Sequence, residues 1–277
     1  MSTGENAESV APRPPEGDWC GTPYLTFERR PPFAELVVDR PQFKNTLTPA
    51  MYFGIRYAIE HVNHADDLAG LLVRAVGETF ITGGDLGNAT DDHWEGLNHL
   101  GMDLVPFDTV RRSDKPVVVA VNGLCQGGGL MITLLADVAV ASERATFRAP
   151  ELLRGIADTY YGQILPRQIG PARARDMLLT GRQVDAAEGL DWGLVARVVP
   201  HEDLIEAARA ALVECSYMAP EARAAVKHAL DEFYGTFDRH AMEDSLTRPE
   251  RVEGWLAFKE RRAPNWIPEE IRPDGRL

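Results

Sequence analysis

Hydrophobic positions recur at the spacing of one helical face between Pro49 and Val62, at Met51, Ile55, Ala58, Ile59 and Val62, so a helix is predicted there. Thr48 stands at the N-cap position and Pro49 at the first helical one, where a missing N–H does no harm. Ahead of it, residues 24–29 and 34–39 read as strands, and Arg30-Pro31-Pro32 between them reads as a turn, because proline removes ladder donors. A hairpin followed by a helix is the expected start of the fold.

The next apolar segments have a different pattern. Residues 71–76 and 116–121 are short β-branched runs with apolar residues on both faces, as expected of strands buried within a largely parallel sheet. Each opens into glycine. The first leads to Phe80-Ile81-Thr82-Gly83-Gly84-Asp85-Leu86; the second leads to Asn122-Gly123-Leu124-Cys125-Gln126-Gly127-Gly128-Gly129 and a helical apolar stretch at 130–135. A third strand is expected at 138–141. Repeated strand, glycine turn and helix units imply an α/β core. From Ala172 onward the pattern turns helical, with Ala-rich stretches at 186–189, 204–215 and 220–233, and the last third is expected to be an α-helical appendage.

The organisation follows: a disordered tail over 1–18, rich in proline and small polar residues, a core over 19–200, and a helical region over 201–277. The polar, His- and Asp-rich stretch 88–112 is read as a cover over something rather than as a core element.

Composition narrows the function classes. Lys plus Arg number 29 and Asp plus Glu 42 over 277 residues, a net charge of −13. The only dense basic cluster is Lys259 with Arg261 and Arg262, which argues against a nucleic-acid partner. No apolar run approaches the roughly 20 residues of a membrane span. Three cysteines (Cys20, Cys125, Cys215) without a CxxC pair argue against a disulfide framework or a structural zinc and suggest a reducing, cytoplasmic setting. An anionic ligand would meet overall repulsion, so its phosphates would need local cations.

A glycine-dense turn feeding a helix lets a ligand approach the backbone and aims free N–H groups at an anion. If Gly84 N–H and Gly128 N–H point at one spot, they form an oxyanion hole suited to a thioester oxygen. The plainer alternative is that these glycines serve only tight turns and close helix packing. Other signals are weaker. His61 and His64 at i and i+3 lack further metal ligands and read as surface residues; His93 and His99 lie in the polar stretch, where an imaginable role is assisting proton transfer. Cys125 reads as a small buried thiol. Gly127-x-Gly129 imitates half a dinucleotide fingerprint, but Ile132 holds the third glycine position.

Taken together, the motifs resemble the crotonase (enoyl-CoA hydratase/isomerase) superfamily over about residues 24–266. The carriers are Asp39-Arg40-Pro41 with Lys44-Asn45-Thr46-Leu47, the two glycine turns, Ala136-Asp137-Val138, Ala145-Thr146-Phe147 before Pro150-Glu151, Leu179-Thr180-Gly181-Arg182 through Gly193-Leu194-Val195, and Ala257-Phe258-Lys259-Glu260-Arg261-Arg262. The resemblance implies a ββα-spiral core with a C-terminal helical trimerisation region, assembled as a homotrimer or a dimer of trimers. It implies an acyl-CoA thioester substrate, no cofactor beyond its CoA moiety, and an oxyanion hole from Gly84 and Gly128. CoA contacts would fall on Lys44, Asp85, Leu86 and Gly87, with Phe258 and Arg261 reaching the nucleotide from the C-terminal helix of the same or a neighbouring subunit. The alternative for Lys44 and Arg261 is that each is a plain solvated charge.

Two departures from the family pattern bear on the reaction. Hydratases of the family carry one glutamate three residues past the middle glycine of the triple-glycine turn and another after the Ala-Thr-Phe segment; here these positions are Met131 and Glu151. A thioether neither activates water nor delivers a proton, so isomerase-like chemistry with Glu151 as the single acid/base is expected over simple hydration. In place of a Pro-Gly-x-Gly-Gly turn the chain has Asp158-Thr159-Tyr160-Tyr161. Asp158 falls close to an aspartate of the dienoyl-CoA isomerase and dihydroxynaphthoyl-CoA synthase branches. It is open between a second catalytic carboxylate, its pKa pushed apart from that of Glu151, and a helix-capping aspartate. Tyr160 and Tyr161 are open between packing and lining the acyl pocket. Two alternatives stand beside the isomerase reading: synthase-like or hydrolase-like C–C bond chemistry using Asp158, and a non-catalytic acyl-CoA-binding protein.

Overall fold

The computed structural model describes residues 21–85, 105–235, 239–267, 269 and 272–273. The expected tail 1–18 and most of the stretch 88–112, with Leu86, Gly87, His93 and His99, lie outside the described residues.

The chain opens with the hairpin β1 (Leu25–Arg30) and β2 (Phe33–Val38), paired antiparallel. Helix α1 (Pro49–His64) follows, and the Thr48 hydroxyl accepts from Met51 N–H, satisfying one of the helix's free donors. Strand β3 (Gly70–Ala75), short helix α2 (Phe107–Arg111), β4 (Val117–Val121), β5 (Leu124–Gln126) and α3 (Gly128–Leu135) come next. They are followed by β6 (Val138–Ser142), β7 (Thr146–Arg148), α4 (Thr159–Ile169) and α5 (Pro171–Thr180). Then come β8 (Val184–Asp185), α6 (Ala186–Trp192), β9 (Arg197–Val199), α7 (Leu204–Ser216), α8 (Pro220–Glu232), α9 (Arg239–Thr247) and α10 (Pro249–Glu260).

Six strands form the main sheet in the order β1-β2-β3-β4-β6-β9, parallel from β2 onward. A smaller sheet, β5-β7-β8, lies beside it. Strand β4 runs into β5 and then α3; β6 runs into β7 and then α4. This strand, strand, helix repeat is the expected α/β spiral. Strands β8 and β9 lie after Ala172, where the sequence pattern turns helical. At two and three residues, with β9 only half-buried, they carry too little periodicity to stand out.

Both faces of the parallel sheet are covered, which explains the unbroken apolar runs. Leu71, Val73 and Val119 join the core with α1 and α3, while Leu72, Val118 and Ala120 face Ala208, Ala211 and Leu212 of α7. The first helix of the C-terminal stretch is therefore a layer of the core, not an appendage. Its Arg209 bonds the buried Glu35 carboxylate, which Arg74 of β3 also holds, at 2.7 and 2.8 Å. Among the described residues no helix is long and apolar enough to cross a membrane.

The link from β4 to β5 passes at Gly123 so close to the preceding segment that a Cβ there would overlap the Glu78 carbonyl oxygen. Gly162, inside α4, has nothing within 4 Å of a Cβ position. Gly123→Ala is expected to destabilise by about 2 kcal/mol or more through overpacking, lowering the melting temperature by roughly 5 °C or more. Gly162→Ala is expected to be neutral or to raise stability by about 0.5–1 kcal/mol. Calorimetry on both variants checks the pair; equal melting temperatures would contradict the contact.

Candidate active site

The two glycine turns meet. Thr79 bridges to Leu124, Phe80 N–H donates to the Leu124 carbonyl at 3.1 Å, and Gln126 N–H donates to the Ile81 carbonyl at 3.0 Å. At the tips, backbone lies against backbone: a Cβ on Gly127 would sit 2.9 Å from Gly83 Cα, and one on Gly83 would sit 3.7 Å from Gly128 N. Gly83 and Gly127 also have φ of +98° and +56°, a region that side chains disfavour. Tyr161 fixes the second turn from behind, its hydroxyl donating to the Gly127 carbonyl at 2.6 Å.

These contacts leave Gly84 and Gly128 beside each other. Gly128 is the first residue of α3, where no intrahelical acceptor exists for its N–H and the helix dipole is positive. Gly84 is bracketed by bonds that its neighbours make to Leu47: Leu47 N–H donates to Gly83 O and Asp85 N–H to Leu47 O, each at 2.8 Å. The strap preceding α1 thus holds the first turn in place.

That strap explains the Asp39-Arg40-Pro41 and Lys44-Asn45-Thr46-Leu47 motifs. Arg40 is fully buried, pairs with Asp85 at 2.7 Å, donates to Thr46 Oγ1 at 2.8 Å, and packs against the rings of Phe43 and Tyr24. Buried Asn45 accepts from Arg40 N–H and donates to the Val76 and Thr79 carbonyls. Lys44 and Asn45 both have left-handed backbone, and Thr82 of the glycine turn donates to the Lys44 carbonyl at 2.7 Å. Lys44 therefore stands exposed at the rim, while the Asp85 carboxylate is engaged by Arg40.

A cleft of about 560 Å³ opens from this point, lined by Lys44, Gly84, Asp85, Glu151, Arg154 and Phe258, with Gly127 and Arg148 also on its walls. Phe258 is contributed by the chain's own α10 and lies under the Arg154 guanidinium at 4.4 Å from the ring centre. Lys44, Arg148 and Arg154 supply local positive charge in an acidic chain. Arg148 and Arg154 carry no role in the sequence reading; their place in the motif next to Glu151 is the signal that was available. Arg261 caps α10 in left-handed backbone and is exposed, outside the residues that line the cleft; Arg262 is tied to Glu253 and Glu260 at 2.6 and 2.7 Å.

Glu151 opens a short 3-10 turn after β7. Its Oε1 lies 3.1 Å from where a Cβ on Gly127 would be, and its Oε2 is buried without a hydrogen-bond partner. Burial, and then the nearby Asp158 carboxylate, push its pKa well above the usual carboxylate range. Asp158 is the N-cap of α4, accepting from Tyr160 and Tyr161 N–H at 3.1 and 3.4 Å. Burial pushes it up to about 6, against those two bonds. The alternatives for Asp158 are thus joined: it caps the helix and it faces Glu151. Burial raises the pKa of both carboxyls above the usual range, and the Asp158 carboxylate raises that of Glu151 further.

A second cavity of about 240 Å³, lined by Leu152, Tyr161, Leu178 and Leu179 among others, also touches Glu151 and Asp158. Met131 and Tyr160 are fully buried, and Tyr160 meets Phe107 edge to face. The C-terminal helices hold the carboxyl-bearing segment: Ala157 N–H donates to Ser245 Oγ at 3.0 Å, and Gly254 of α10 packs on the Arg154 backbone.

Three comparisons bear on this arrangement. The family model described as enoyl-CoA hydratase/isomerase matches residues 31–269. A carnitinyl-CoA dehydratase of Salmonella typhi is 33% identical over 264 residues, covering 87% of this chain and 97% of that protein. Crystal structures of an enoyl-CoA hydratase from Mycobacterium avium subsp. paratuberculosis K-10 and an enoyl-CoA hydratase/isomerase from Pseudoalteromonas atlantica T6c superpose with TM-scores of 0.77 and 0.76. They are 25% and 28% identical, covering 89% and 88% of this chain and all of each of those chains.

The raised carboxyl pKa values have a stability consequence. A carboxyl whose folded pKa lies above its unfolded value, near 4, stabilises the fold below that value, and the gain is lost as pH rises through the folded pKa. The wild type is therefore expected to lose stability relative to Asp158→Asn, which can still cap α4, between pH 5 and 7.5. Denaturant melts across that range check it; a wild type that gains on the variant with rising pH would contradict it.

Proposed function

The chain belongs to the enoyl-CoA hydratase/isomerase family and is an acyl-CoA enzyme of that family, and from this premise we propose that its reaction is proton transfer at the carbons next to the thioester, with Glu151 as the acid/base. The observation that carries the reading is the buried, unpartnered Glu151 oxygen beside the two glycine turns. The thioester oxygen accepts from Gly84 and Gly128 N–H, which stabilises the enolate more than the ground state. In its ionised form the Glu151 carboxylate takes a proton from C2 and returns it at C4, so a 3-enoyl thioester becomes a 2-enoyl one. Met131, where a hydratase has its other glutamate, offers the pathway no second acid or base. The cleft cations Lys44, Arg148 and Arg154 support binding of the CoA phosphates, and no group beyond the CoA moiety is required.

A second reading, reversible loss of water from a 3-hydroxyacyl-CoA, is favoured by the Glu151–Asp158 pair, which supplies base and acid together. The carnitinyl-CoA dehydratase name of a relative points the same way.

Assays of 3-enoyl-CoA isomerisation and crotonyl-CoA hydration separate the two. The isomerase reading expects isomerisation to exceed hydration, Glu151→Gln to lower isomerisation roughly 10²–10⁴-fold, and Asp158→Asn to retain it within about tenfold. Fast hydration lost in both variants would establish the water reading instead; full activity in Glu151→Gln would contradict both.

A further inference from the structure

The space in front of the two glycines holds a polar group that no motif marks. Tyr52, on α1, points its hydroxyl between them: a Cβ on Gly128 would overlap the Tyr52 oxygen, and one on Gly84 would lie 3.6 Å from it. The ring is set edge-on against Phe107, with centroids 6.5 Å apart and planes at 89°, and Phe107 is in turn set edge-on against Tyr160. Packing on both sides of Phe107 therefore fixes where the phenol oxygen falls.

The geometry points to Tyr52 as a third hydrogen-bond donor to the thioester oxygen, beside Gly84 and Gly128 N–H. This rests on the acyl-CoA reading above and deepens it. A neutral phenol is the right kind of group for the place, because it can donate to a developing enolate oxygen where a carboxylate would repel it. Burial, with Glu151 and Asp158 nearby, pushes its pKa up, so the proton stays on the oxygen throughout the neutral range. That same shift makes Tyr52 a donor and not a proton source, leaving proton transfer to the carboxyl pair. The position also accounts for Gly128 in a way that turn geometry does not: Gly128 has no positive φ, yet any side chain there would displace the hydroxyl.

The alternative is that the Tyr52 ring merely fills space against Phe107, in which case its oxygen is dispensable. Tyr52→Phe removes that oxygen and keeps the ring. The probe is butyryl-CoA carrying ¹³C at the thioester carbon, a saturated ligand with no double bond to move or hydrate. Isotope-edited infrared spectroscopy reads its carbonyl stretch free, bound to the wild type and bound to Tyr52→Phe, with calorimetry giving the affinity. The expected result is a lowered stretch in the wild type that moves back toward the free value in Tyr52→Phe, with affinity changed less than about fivefold. Turnover of a reactive thioester is expected to fall roughly 10²-fold in kcat with little change in KM, as for loss of one oxyanion-hole donor. An identical stretch in wild type and variant overturns the assignment of Tyr52 while leaving the two-amide hole standing. Absence of binding, or of any carbonyl shift in the wild type, overturns the acyl-CoA hole and Tyr52 together.

Discussion

The backbone contact between Gly83 and Gly127 determines where the chemistry of this protein sits. A side chain at Gly127 would press on Gly83 Cα, one at Gly83 would be strained by its positive φ, and a Cβ at Gly129 would strike the Ile81 carbonyl, so the segments after β3 and β5 come together because these positions are bare. Their meeting leaves Gly84 and Gly128 adjacent, one held by Leu47 and the other starting α3. Tyr161 then anchors the second turn through the Gly127 carbonyl and, through its own backbone N–H, bonds Asp158. One residue thereby ties the carboxyl-bearing segment to the glycine turn it has to serve.

Charge is arranged in opposite ways at the two ends of the cleft. At the rim, Lys44, Arg148 and Arg154 collect positive charge that the chain as a whole, at −13, does not have. Deeper in, desolvation raises the pKa values of Glu151 and Asp158, and the Asp158 charge raises that of Glu151 further. A carboxyl whose pKa is raised by desolvation is suited to the proton transfer proposed for it. The arrangement has a stability cost, because Glu151 Oε2 lies buried without a partner. Helices α9 and α10 offset it by bracing the segment through Ser245 and Gly254.

Much of this was legible from residue order. The hairpin, α1 with its Thr48 cap, strands β3, β4 and β6, and α3 all follow from period and punctuation, because each is set by local propensity and one buried face. Strands β8 and β9 were not, since their place is set by neighbours in the sheet and not by their own two or three residues. The role of α7 was hidden for a related reason: an Ala-rich amphipathic stretch shows that it buries a face, not which face of which sheet receives it. In the site, Gly84 and Gly128 were marked by the two glycine turns and Glu151 by the resemblance to the family. Asp158 was ambiguous because cap and acid demand the same residue type. The contacts of Tyr52 depend on how α1 lies across the second turn, which no spacing along the chain encodes. Residue order shows Arg262 as part of a basic cluster, and only the fold shows its pairing with Glu253 and Glu260.

The central claim is that Glu151, working beside the Gly84 and Gly128 amides, generates an enolate from a CoA thioester. Exchange at C2 measures this without presupposing the net reaction: butyryl-CoA is incubated with the protein in D₂O and deuterium at C2 is followed by mass spectrometry. The account predicts enzyme-dependent deuteration at C2 that is lost in Glu151→Gln. No deuteration above the enzyme-free rate, or equal deuteration in Glu151→Gln, would contradict it.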